Sequence, residues 1–138
     1  MLKIVDLTTT VEFESARDPD KGTDKATKFK LGAIPSRVYA ALKDKATKWT
    51  QNPNSSDGVS AEFRPNLIGR DIVRFGVKGI ENYPVKFATQ KESIGSKEFD
   101  VLADAVIDAM DIDTIRELST EIQKLCEFNE EEVKNSEG

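Results

Sequence analysis

Ser96 to Phe128 reads SKEFDVLADAVIDAMDIDTIRELSTEIQKLCEF, and its periodicity sets the expected fold. Apolar residues fall at Phe99, Leu102, Ala103, Val106 and Met110, then at Ile115, Leu118, Ile122 and Leu125, the three-and-four spacing of two amphipathic helices. Ser96 is a natural N-cap for the first and Asp111 or Asp113 for the second, because a short oxygen-bearing side chain satisfies free N–H groups of a helix's first turn. The segment predicts helices over 97–110 and 113–127, joined tightly into a hairpin with one apolar face. The residues that follow, NEEEVKNSEG, have little to bury and predict a flexible acidic end over 129–138.

Working outward, Val38, Ala41, Leu42, Lys45 and Trp49 recur at helical spacing after Ile34-Pro35-Ser36, which predicts a helix over 35–48 with proline in its first turn. A second pattern, Leu67, Ile68, Ile72 and Phe75, predicts a helix over 66–78, with Asn66 as N-cap and Gly79 as stop. Gly69 and Gly76 stand seven residues apart, about two turns, so both face one neighbour and permit close approach. Near the start, Thr8–Glu14 and Lys25–Leu31 alternate in polarity around the turn-rich run Asp18-Pro19-Asp20-Lys21-Gly22-Thr23-Asp24. They predict a β-hairpin over about 8–31. Gln51–Gly58 reads as a loop, and Tyr83–Ala88 as a short extended segment. The expected fold is mainly α with a small antiparallel β element, an α+β class of about four helices on one core. A single globular domain spans 1–128, the N-terminal hairpin over about 8–31 and the helical part over about 35–128.

The chemistry-bearing residues are sparse. Histidine is absent, which removes the commonest general base and the usual zinc ligand together. Cys126 is the sole cysteine, so neither an intrachain disulfide nor a thiolate metal cluster can form, and it reads as a small half-buried side chain. The Asp-x-Asp-x-Gly-x-Asp spacing from Asp18 resembles a calcium loop, yet Phe29 holds the twelfth position, where a bidentate Glu belongs. Asp104, Asp108, Asp111 and Asp113 cluster, but a loop counted from Asp111 has Ile115 at its fifth position and no glycine, so capping and solvation account for them. No phosphate-cradling glycine motif occurs. The expectation is therefore no catalytic, cofactor or metal residue, and no enzyme. Residues 1–69 hold 11 Lys+Arg and 9 Asp+Glu, while residues 70–138 hold 9 and 16. That acidic half argues against nucleic acid, whose phosphates reward clustered cations, and favours a basic or apolar protein partner. With no apolar run of signal-peptide or membrane-spanning length, the expected location is the cytoplasm.

Three stretches taken together resemble the tail assembly chaperones of long-tailed bacteriophages and prophages. They are FKLGAIPSR from Phe29 to Arg37, IVRFGVKGIENY from Ile72 to Tyr83, and IRELSTEI from Ile115 to Ile122 running into FNEEEVKNS from Phe128 to Ser136. The resemblance covers roughly Phe29 to Ser136. It implies a small protein of the bacterial host cytoplasm that binds the tape-measure protein, keeps it soluble and helps recruit tail tube subunits. Some members of the family are also made as a longer frameshifted product. The hairpin before Phe29 departs from the family pattern. A client would meet an apolar surface shared by the C-terminal hairpin and the Ile72–Tyr83 segment, with Phe75, Tyr83, Leu125 and Phe128 as partner-binding anchors. Two other classes stay open: a structural virion protein, such as a tail-completion or head–tail joining subunit, and a carboxylate–metal hydrolase built on Asp104 and Asp108.

Overall fold

The computed structural model describes residues 4–51, 59–63 and 65–126. Phe128, the acidic end over 129–138 and most of the loop over 51–58 lie outside the described residues.

Thr10–Phe13 (β1) and Lys28–Gly32 (β2) pair antiparallel, Thr10 opposite Gly32 and Phe13 opposite Phe29, as the alternating pattern predicts. The turn between them is held by its own polar groups. The Asp18 carboxylate accepts from the N–H groups of Asp20 at 2.9 Å and Thr27 at 2.8 Å, while Gly22, at φ +84°, donates its N–H to Glu14 Oε1. Ser36–Ala46 (α1) follows, with Pro35 at its N-cap position. The helix expected over 35–48 ends at Ala46, because Thr47–Gln51 (β3), Trp49 included, pairs with Val59–Phe63 (β4) in a separate two-stranded ladder. Pro65–Gly76 (α2) leads directly into Val77–Glu81 (β5), which completes a three-stranded antiparallel sheet of order β1-β2-β5. The expected helix over 66–78 thus ends two residues early, because Val77 pairs with Leu31 across the sheet. Asn66 lies inside the helix rather than capping it, and Gly79 sits mid-strand opposite Lys30.

The helix expected over 97–110 is corrected by the structure. Thr89–Ile94 (β6) and Lys97–Leu102 (β7) form a hairpin, and only Asp104–Ile107 (α3) is helical. Gly95 and Ser96 are a two-residue loop between the paired residues Ile94 and Lys97, with Gly95 at φ +62°, the backbone that a tight hairpin turn demands of its first central residue. Along β7, Phe99 and Val101 turn inward while Glu98 and Asp100 are exposed, a period of two rather than 3.6. Ile112–Cys126 (α4) matches the second expected helix. Asp111 caps it, accepting from the Thr114 N–H at 2.7 Å.

Among the described residues, the architecture is a mixed α+β fold with four helices and the three-stranded sheet near the N-terminus. Its centre is α2, which packs against α1, α4 and β7, and every residue from Asp71 to Val77 is buried. Ile72 and Val73 on this helix join Leu31, Val38, Leu118 and Ile122 in one apolar core. Each such side chain contributes about 1.5–3 kcal/mol by leaving water. A helical stretch enclosed on all sides, as α2 is from Asp71 on, must bury its polar residues too, and Asp71 and Arg74 are the result. Among the described residues, no helix is long and apolar enough to cross a membrane.

Candidate functional site

The contact between α2 and α4 is tight at one end and open at the other. At the tight end, a Cβ on Gly76 would stand 2.5 Å from Ile122 Cδ1, so only glycine admits the α4 side chain. Two turns earlier along α2, a Cβ on Gly69 would meet nothing nearer than Ser119 Oγ at 3.7 Å, an ordinary contact. Both glycines face α4, as their spacing predicts. The space beside Gly69 opens into a groove of about 450 Å³.

Apolar walls come from Ile112 and Ile115, and Ser119 lies along the floor. Ile112 is 64% exposed, which makes it one of the few large apolar side chains left in water. The two hydroxyl groups of the lining are already engaged: Ser119 Oγ accepts from Gln123 Nε2 at 3.1 Å, and Thr120 Oγ1 donates to the Arg116 carbonyl at 2.9 Å. Among the described residues, Arg70 and Arg116 supply the only charges in the lining. Arg70 is held by Asp108 at 2.7 Å and Asp104 at 3.5 Å, whereas Arg116 pairs among the described residues with Asp113 alone, at 3.8 Å and with both side chains largely exposed. The groove is thus apolar, with one cation fixed and the other free to move in water.

Behind the groove, Arg70 connects to a buried ionic network. Arg74 bonds Asp71 one turn back at 3.1 Å and Glu92 on β6 at 3.2 Å, and its Nε stands 3.6 Å from Asp104. Lys45 on α1 closes on the other oxygen of Asp71 at 3.3 Å. These pairs tie α2 to α1, to the β6–β7 hairpin and to the start of α3, fixing the wall on which Arg70 sits. Asp104 and Asp108, the pair a metal hydrolase would use, both face the Arg70 guanidinium. Among the described residues, no group of three or more His, Cys, Asp or Glu is arranged to hold a metal ion.

The anchors named from sequence fall elsewhere. Phe75 is buried, its ring edge-on to Phe99 with centroids 5.8 Å apart, and serves the core. Tyr83 is half-buried against Phe29, and its hydroxyl donates to the Ala109 carbonyl at 3.5 Å; burial raises its phenol pKa. Leu125 is half-buried against the core, and Phe128 lies outside the described residues. None of the three described anchors lines the groove. Ile112 and Gly69 carried the overlooked signal: an isoleucine one turn ahead of the α4 core stripe, and a helix-interior glycine for which the fold has no use. In comparisons with known proteins, no protein-family model, no curated protein and no solved structure matches this chain.

Proposed function

We propose that this protein is a phage tail assembly chaperone, acting in the host cytoplasm to bind the tape-measure protein, keep it soluble and assist tail tube assembly. The observation that supports this best is the open α2–α4 groove with exposed Ile112 at its mouth, a surface suited to taking an apolar side chain from a client helix. Its lining of two isoleucines, two arginines, a glycine and two hydroxyl groups offers apolar and charged contacts for binding a side chain. A groove of this small size favours transient capture over permanent assembly, whose interfaces are larger.

A second reading, a structural virion subunit, draws on a different feature. β1 is an edge strand, and Ile4, Leu7 and Val11, all exposed, lie on it or just before it. Unprotected edges with apolar neighbours are suited to pairing between subunits. Quantitative mass spectrometry of purified particles separates the two. The chaperone reading expects the protein to be absent from finished virions and an otherwise insoluble tape-measure protein to stay in solution when the two are co-expressed. Recovery at the copy number of a tail or connector ring would reject it.

A further inference from the structure

Gly69 has a cost, and among the described residues no neighbour requires a glycine there. In a helix interior glycine is less favourable than alanine by about 1 kcal/mol, and a Cβ here would meet only ordinary contacts at 3.7 and 4.0 Å from Ser119. Gly76 is the internal control: there the fold itself excludes a side chain, because α4 fills the space. At Gly69 the space is left open to solvent, between Ile112 and Ile115 on one side and Arg70 on the other.

We infer that this groove recognises a helix carrying a bulky apolar side chain with a carboxylate beside it, the apolar group seating over Gly69 and the carboxylate pairing with Arg116. The inference rests on the chaperone reading for the identity of the client, and adds the chemistry by which the client is chosen. Arg116 does the charge recognition because Arg70 is already neutralised by Asp104 and Asp108, while the long, exposed contact from Arg116 to Asp113 is readily exchanged. Arg70 instead holds the wall in place through its link to the Arg74 network. A client helix with a lysine at the position of that carboxylate is disfavoured, since the lysine would face Arg116 instead of pairing with it.

Two synthetic helical peptides test this on the full chain, each with one leucine on an otherwise polar face, flanked by glutamates in one and by lysines in the other. Fluorescence anisotropy should show the glutamate peptide binding about fivefold more tightly. Arg116→Glu should reverse that order. Gly69→Leu, which fills the groove, should weaken both peptides about tenfold or more. Gly69→Ala should raise the melting temperature, which verifies that the space is not needed for folding. Equal binding of both peptides, or binding indifferent to Gly69→Leu in a protein that melts normally, overturns the inference. So does self-association in sedimentation that Gly69→Leu abolishes, because the groove is then an interface between copies. If these peptide results fail while the tape-measure protein is still kept soluble, the groove assignment falls and the chaperone reading stands. Peptide binding as expected without solubilisation has the opposite meaning.

Discussion

Gly76 lies so close to Ile122 that an added Cβ would be 2.5 Å from Cδ1 and 2.6 Å from Cγ2 of the isoleucine, which is itself fully buried. The closest approach of α2 to α4 is therefore backbone against side chain, and the groove's geometry depends on it. Gly76→Ala should destabilise the protein by about 2 kcal/mol, the usual effect of overpacking a rigid core. Ile122→Ala should cost about 3 kcal/mol alone by leaving a cavity. In the double variant the two penalties should fall short of their sum by about 1 kcal/mol or more, measured by urea denaturation, since each change relieves the other. Simple additivity would mean that the helices separate freely here.

The Asp71–Arg74 pair yields a second expectation. Both side chains are less than a tenth exposed, and Arg74 also serves Glu92 and Asp104. Removing one partner strands a buried charge, so Arg74→Met should destabilise by about 3–5 kcal/mol. Adding Asp71→Leu should recover much of that loss, because an apolar pair needs no compensation. Thermal melts of the single and double variants are the check, and a double variant no more stable than the single one would show that the network's value lies in Glu92 and Asp104 instead.

Acid should loosen the join between the N-terminal turn and α4. The Arg17 guanidinium, with help from the Thr114 hydroxyl and N–H, holds the Asp111 carboxyl far below the usual carboxylate range. A lowered folded-state pKa means that this contribution is full above the ordinary value of about 4 and is lost as pH falls towards the folded value. Arg17→Met should lower the melting temperature at neutral pH, and the gap from the natural protein should narrow below about pH 4. In parallel, carboxyl NMR should show Asp111 titrating closer to its ordinary value in the variant. A gap that does not change with pH would place the effect of Arg17 outside this pair.

Periodicity disclosed α1, α2, α4 and the β1–β2 hairpin because each carries its apolar residues at a regular repeat toward the core, α2 against several neighbours at once. It misread residues 97–110 because Phe99, Leu102, Ala103 and Val106 do reach the core or its edge, but through a strand and then a single helical turn whose apolar positions together mimic a 3.6-residue repeat. The Gly95-Ser96 dipeptide was the local sign of a hairpin, overridden by reading Ser96 as a cap. The strands β3 and β5 were obscured differently. Each continues straight from a helix, so pairing partners far along the chain, Phe63 for Thr47 and Leu31 for Val77, decide where the helix stops. For the site, the glycine spacing pointed to the correct helix pair. What it did not reveal was that Phe75 is enclosed, since α2 is covered on every side from Asp71 onward, or that Ile112 is left in water.

The central claim is that the groove beside Gly69 holds the client, and one measurement meets it directly: the soluble fraction of the tape-measure protein on co-expression with the natural chain or with Gly69→Leu. The melting temperature of the variant is matched first, so that misfolding is removed as a cause. The account predicts abundant soluble complex with the natural protein and a loss of most of it with the variant. Equal solubilisation by both proteins would contradict it.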